Sequence, residues 1–449
     1  MRHKYDRTLA TFDLRQPWIL SLLLISLVPL FPEYIAPFLS IGAFFFARAD
    51  VKRHHRHMRV GAAGKILLIY LVFMTIHLLW ATDRSLSLLS LGYWIAMLLT
   101  YLSMTSILTS PRRIETALFL LSVVVGLVGL IACAQYVCVG VLHIEEVPLQ
   151  IWDFVDERVY SLVDMNITLH SLGVRAGSTF SNPNLFGQYA VMAIPFVAAY
   201  GFSGERSAAK IIARFSLLFV VIGIFFSFSR GSYLALAAVA VVMCAANIRR
   251  VIPMLIVALS GLLLLPESIW ARLLSIGDAS DVAISERFQV WGVTMQVFLE
   301  RPLAGHGIGL GGIWPRLAEC GFTAPHAHNT FLEFLAEGGV IGLVLLLFLI
   351  WKLFRTGFEL IIHTPKTRMY GAALIAFVGG FCLGGMVDFP LFAPKTIGMF
   401  MMVIAFSDCF GALYMKHAPA TLESSVPFYA TLHDRIEGWV KKKTAPKGE

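Results

Sequence analysis

The sequence predicts an all-α polytopic integral membrane protein with about twelve transmembrane helices and two long external loops. Three observations predict it. Of 449 residues, 57% are hydrophobic and only 14% charged, which is more apolar surface than a soluble core can hide. The apolar residues fall in runs of membrane-crossing length, separated by short polar connections. Lysines and arginines gather in alternate connections, the bias that orients membrane helices. A net charge of +8 could suit a nucleic-acid binder, but the basic residues lie in short clusters between apolar runs without an aromatic-interleaved basic module, so no nucleic-acid partner is expected. Five of the six cysteines (Cys133, Cys138, Cys244, Cys382 and Cys409) sit in apolar runs and only Cys320 lies in a long loop, so no loop-to-loop disulfide is available.

Residues 1–16 carry Arg2, Lys4, Arg7 and Arg15 ahead of an apolar run from Pro17. No small-residue cleavage pattern follows it, so the run reads as a retained first span. Ile35 to Ala47 forms the second, with Pro32 and Pro37 at the tip of the hairpin. The basic tract Lys52-Arg53-His54-His55-Arg56-His57 reads as an anchor to anionic lipid rather than a metal site. Further spans are expected at about Lys65 to Ala81, Ser85 to Leu108, Ile114 to Gly140, Leu185 to Phe202, Ile211 to Ser229, Ser232 to Ala246, Val251 to Leu265, Gly338 to Leu353, Met369 to Val387 and Thr396 to Tyr414. An even number of spans, with most Lys and Arg on the side of the termini, predicts that both termini are cytoplasmic. The chain therefore divides into a membrane domain, 1–415, and a tail, 416–449, where Phe428, Leu432, Ile436 and Trp439 precede Lys441-Lys442-Lys443 at the spacing of an interfacial amphipathic helix. The only long loops, 141–184 and 266–337, both fall outside, so chemistry is expected on the external face.

Three places on that face carry candidate residues. The first loop ends Arg175-Ala176-Gly177-Ser178-Thr179-Phe180-Ser181-Asn182-Pro183-Asn184, which places a guanidinium close to the membrane plane beside small and amide residues that let a ligand approach. A turn whose arginine snorkels to lipid phosphate fits this stretch equally well. Ser227-Phe228-Ser229-Arg230-Gly231-Ser232 breaks a 36-residue apolar run and implies a tight hairpin with Arg230 at its external tip, where positive charge is disfavoured unless it is used. Pro325-His326-Ala327-His328-Asn329-Thr330-Phe331-Leu332-Glu333 closes the second loop just before a span. A histidine there is a natural general base, because its unperturbed pKa lets it lose and regain a proton near neutrality. The bland reading of His328 is a helix-terminal histidine bonded to backbone. His326 and His328 could also ligate metal, but no Asp, Glu or Cys stands at a supporting spacing beside them, so none is expected. From Asn329 a short interfacial helix should run to Gly338-Gly339, with Glu333 and Glu337 one turn apart, able to orient a histidine or to face water.

Together these stretches resemble the O-antigen ligase and polymerase superfamily. The run His328-Asn329-Thr330-Phe331-Leu332-Glu333 followed by Glu337-Gly338-Gly339-Val340-Ile341-Gly342-Leu343 is similar to that family's signature. Arg175 through Asn184 resembles its first external arginine motif, and Ser229-Arg230-Gly231-Ser232 its second. Arg287-Phe288-Gln289-Val290-Trp291 with Arg301-Pro302-Leu303-Ala304-Gly305-His306-Gly307 is similar to the stretch ahead of the histidine. The four occur in the family's order and cover about 175–345. The resemblance implies a GT-C-like membrane glycosyltransferase architecture and transfer of a preassembled glycan from an undecaprenyl-diphosphate carrier to an acceptor hydroxyl, a glycan or a lipid-linked one, outside the cytoplasmic membrane. It implies no cofactor and no metal. It also implies His328 as catalytic base, Arg175 and Arg230 on the diphosphate, and Asn182, Asn184, Arg287, His326, Asn329 and Glu333 in support.

Ligation, repeat-unit polymerisation and protein glycosylation all fit this motif set. Two other classes compete with transfer. Relatives of this architecture have been labelled inorganic-carbon transporters, but a transporter needs ionisable or broken-helix sites near the midplane, and the sequence offers only His77 and Asp408, both near span ends. A scaffold leaves Arg230 and the large outer loops unexplained.

Overall fold

In the computed structural model, residues 13–144, 175–204, 207–262, 282–363 and 367–415 are described. They form thirteen α-helices and no strand: α1 (Pro17–Leu27), α2 (Ala36–Arg53), α3 (Ala62–His77), α4 (Arg84–Ile107), α5 (Pro111–Tyr136), α6 (Pro183–Phe202), α7 (Ala208–Phe226), α8 (Arg230–Leu262), α9 (Val282–Glu300), α10 (Trp314–Glu319), α11 (Thr330–His363), α12 (Arg368–Gly385) and α13 (Pro394–Phe410). Eight helical stretches are long and apolar enough to cross a membrane, and three shorter apolar ones begin at Pro17, Ala62 and Arg230. The chain is thus a multi-pass helical membrane protein. Its helices start where local chemistry dictates. Asp83, Ser110, Asn182 and Ser207 accept from first-turn backbone N–H groups of α4, α5, α6 and α7, and proline opens α1, α5, α6 and α13.

Around the outside, large apolar side chains such as Phe38, Phe45, Ile69, Val72 and Leu127 stay exposed, as a lipid-facing surface requires. In the middle, α6 packs against α12, α7, α8, α5 and α13, and 94% of its apolar stretch is buried. That central helix carries Asn184 and Gln188, so its polar groups face protein rather than lipid. A second, smaller apolar cluster of Val290, Val297, Ile313, Leu317, Ala327 and Ala336 packs α9, α10 and the segment before α11 against the start of α11.

Several expectations change in the structure. No turn separates Ala246 from Val251: α8 runs from Arg230 to Leu262, about 50 Å at 1.5 Å per residue. The reason is local, because Asn247-Ile248-Arg249-Arg250 contains neither glycine nor proline to stop a helix. The second span does not end at Ala47 but continues to Arg53, because buried Asp50 accepts from Arg56 and from Arg113 (2.9 Å). Arg56 of the basic tract therefore closes an internal ion pair as well as reaching the Ser106 carbonyl. By contrast, the break at 227–229 and the turn at Gly339 stand as expected. Arg2, Lys4 and Arg7, most of loop 141–184, the end of the Val251–Leu265 run and the tail 416–449 lie outside the described residues.

Candidate functional site

At one end of the bundle the segment before α11 meets the short connection after α12. His328 Nδ1 lies 3.1 Å from Asp388 Oδ1. Both are placed by backbone. Asn329 caps α11, its Oδ1 accepting from Phe331 and Leu332 N–H, while its Nδ2 donates to the Met386 carbonyl. Thr330 Oγ1 donates to the Asp388 carbonyl, and Asp388 Oδ1 also accepts from Phe389 N–H. His328 itself has φ +50°, a left-handed conformation held by this web. Burial pushes the Asp388 carboxyl up, but the hydrogen bond and charge of His328, with His326 and Arg287 nearby, more than offset that and hold it well below the usual carboxylate range. A carboxylate at Nδ1 requires Nδ1–H, so Nε2 is the nitrogen left to accept a proton.

His326 packs edge-on against the His328 ring, 4.3 Å between centroids, and its Nδ1 accepts from His328 N–H. Burial, then the charges of His328 and Arg287, push His326 down to about 3, so it stays neutral. Arg287, on α9, is near enough for its charge to reach both His326 and Asp388. One turn on, Trp291 ties α9 to this loop by donating to the Ala327 carbonyl at 2.9 Å.

Glu333 and Glu337 neither face water nor touch a histidine ring. Both are 1% exposed. Glu333 accepts from Ala327 N–H at 2.6 Å, and Glu337 accepts from Gly309 N–H at 2.6 Å. They brace the loop around the histidine rather than orient it, because the carboxylates are aimed back along α11 at backbone donors. The residue that does orient His328 is Asp388, which sequence reading missed. A lone acidic residue followed by Phe389-Pro390 at the end of an apolar run was the available signal. Asp388 also supplies the third donor absent from the local spacing, since ligating atoms of His326, His328 and Asp388 lie within 4.8 Å of one another. Within this set, His326 Nδ1 accepts a backbone N–H, and Asp388 Oδ1 holds His328 and Phe389.

The two arginine motifs come together on a neighbouring wall. Arg175 Nε donates to the Ser227 carbonyl at 2.9 Å and its Nη2 to Asn184 Oδ1 at 2.6 Å, while Asn182 caps α6 through Asn184 N–H. Arg175 is thereby docked onto the turn that carries Arg230. Its own segment is gripped from three sides: Gln135 bonds Ser178 through both N–H and C=O, Thr179 Oγ1 reaches the Pro29 carbonyl, and buried Lys395 donates to the Thr179 carbonyl. Lys395 lies 3.8 Å from Glu33 and over the Phe180 ring. A small cleft of about 20 Å³, room for about one water, lies beside Asp388 and is lined by Gln188 of α6, Ser229 just before α8, Gly231 and Ser232 in its first turn, and Pro390.

The two ionisable residues near span ends have structural work instead. His77 contacts the Ala304 carbonyl and accepts from Trp80 Nε1. Asp408 takes Ala63 and Gly64 N–H, each at 3.0 Å, and the Tyr101 hydroxyl, so it caps the start of α3.

No curated protein matches this chain. Residues 215–347 match the sequence model of a family described as O-Antigen ligase. That segment carries Arg230, Arg287, His326 and His328, and over it the chain is similar to the O-antigen ligase family.

Proposed function

We propose that this protein transfers a preassembled glycan from an undecaprenyl-diphosphate carrier to an acceptor hydroxyl, on the outer side of the cytoplasmic membrane and with both termini inside. The observation that carries this reading is the His328–Asp388 pair beside the cleft lined by the first turn of α8. With Nδ1–H given to Asp388, His328 Nε2 takes the proton from the acceptor hydroxyl. That oxygen then attacks the anomeric carbon, the bond to the diphosphate oxygen breaks with its electron pair leaving on the lipid diphosphate, and the anomeric configuration inverts. Arg175 and Arg230 meet the negative charge that develops on the leaving group, which is why no metal is needed. Asn184 and the Ser227 carbonyl set the plane of the Arg175 fork. Arg287 adds positive charge on the side of His326 and Asp388, and Asn182, Asn329 and Glu333 shape the backbone that presents the reacting groups.

The acceptor separates ligase from polymerase, since both use the same bond-making step. The deciding assay is glycan transfer by purified protein from an undecaprenyl-diphosphate oligosaccharide to candidate acceptors. Wild type should transfer, and His328→Ala should lose on the order of 10²- to 10⁴-fold in rate. An active His328→Ala protein would remove the base from this scheme. Failure of wild type to bind the donor at all would point to solute transport instead.

A further inference from the structure

We propose that the end of the bundle opposite His328 holds a binding site for the phosphate of an anionic phospholipid. The site is independent of the transfer chemistry, because it lies a helix length away. α3 starts there and ends at His77, against the Ala304 carbonyl of the Arg301–Gly307 strap. α13 ends there, having started just beyond Phe392, whose ring packs on His326 with 5.0 Å between centroids. Beside the start of α3 and the end of α13 lies a cavity of about 550 Å³, within the usual range of small-molecule sites. Arg59 before α3, Thr105 of α4, Lys352 and Thr356 of α11, and Ser407 and Asp408 of α13 line it.

The chemistry of the walls selects an anion. Arg59 and Lys352 bring two cations, and neither has an ion-pair partner among the described residues. Arg59 is near enough for its charge to reach Cys409 on the α13 wall. Asp408 carries the one carboxylate among the described lining residues, and its oxygens are already taken by Ala63 N–H, Gly64 N–H and the Tyr101 hydroxyl. Ser407 is 1% exposed, yet its hydroxyl has no hydrogen-bond partner. The hydroxyls of Ser103 and Ser122 instead bond the carbonyl one turn back in their helices. An unspent donor on a wall with two cations fits phosphate oxygens, which only accept. The surroundings of Lys352 make lipid the source. Phe348, Trp351, Phe354 and Phe358 of α11 stay exposed, as residues against lipid do. A phosphate held at Lys352 therefore has an apolar face beside it for its acyl chains.

The test titrates full-length protein in detergent with dioleoyl phosphatidylglycerol, dioleoyl phosphatidylcholine and glycerol 3-phosphate, read by native mass spectrometry. Wild type should bind phosphatidylglycerol most tightly. Arg59→Gln combined with Lys352→Gln should weaken phosphatidylglycerol roughly tenfold or more while leaving phosphatidylcholine within about twofold of wild type. Lys65→Gln removes an exposed cation at the same end of α3 that does not line the cavity, and should leave both lipids unchanged. The double variant should fold, because Arg59 makes its bonds to Ser106 and Thr105 through backbone. Should it not, each single substitution should show part of the loss. Equal binding of the two lipids by wild type, no loss in the variants of Arg59 and Lys352, or the same loss from Lys65→Gln overturns the site. Glycerol 3-phosphate that binds as tightly as phosphatidylglycerol overturns lipid as the source of the phosphate.

Discussion

His328 and Asp388 work as a unit because of what each does to the other's proton. The carboxylate selects the Nδ1–H tautomer and leaves Nε2 as the base of the proposed scheme. Asp388→Asn keeps the size but lets the amide donate to Nδ1, which puts the proton on the wrong nitrogen. Transfer should fall on the order of 10²- to 10⁴-fold with donor binding unchanged, which a binding assay beside the rate measurement checks. His326 behaves differently. Its pKa is lowered to about 3 by burial, so between about pH 6.5 and 3 the unfolded chain binds a proton that the folded chain does not. Stability contributed by keeping His326 neutral is therefore present above the unfolded value and is lost as pH falls through that window. His326→Gln should flatten the acid side of a plot of thermal midpoint against pH, and an unchanged acid slope would assign it to other groups. At this scale the sequence displayed His328, Asn329 and both arginines. It hid Asp388, which is 60 residues from its partner, because no local spacing reports a contact made across the bundle.

At the scale of elements, two devices hold the site in register. Gly339 takes φ +63° in the middle of α11, and a Cβ there would fall onto the backbone of Leu303. Val340 N–H then donates to the Pro302 carbonyl, so the short helix bearing Glu333 and Glu337 turns against the Arg301–Gly307 strap. Gly339→Ala should cost about 1–3 kcal/mol from the backbone conformation alone, more with the clash, and should lower both the thermal midpoint and transfer. The other device is the Glu33–Lys395 pair, which ties the first hairpin and α13 to the Arg175 segment. Lys395→Met leaves Glu33 buried without its cation and should cost on the order of 3–5 kcal/mol, whereas Glu33→Gln with Lys395→Met should recover part of that loss. Thermal unfolding of the three variants reads the difference directly. The helix breaks were visible as Gly-Gly and as a polar interruption at 227–232. The continuity of α8 was not, because two apolar runs flanking Asn247-Ile248-Arg249-Arg250 look alike whether the helix turns back or runs on.

The whole molecule gathers the candidate site from helices that are far apart in sequence: α6, α8 and α12 line the cleft, and Trp291 ties α9 to the loop that leads into α11. Metal is not needed in this scheme, so chelators should leave the transfer rate of purified protein unchanged, and inhibition that added cation reverses would turn the His326, His328 and Asp388 set into a metal centre. The sequence by itself determined the multi-pass helical class and the likeness of residues 215–347 to the O-antigen ligase family, because hydropathy over a span and short motifs are local properties that packing does not alter. Only the tertiary structure decided that Asp388 orients His328, that Glu333 and Glu337 serve backbone, and that His77 and Asp408 are structural. Each of these depends on which buried polar group meets which partner across helices, and burial makes that pairing energetically decisive while leaving no periodic trace in the chain.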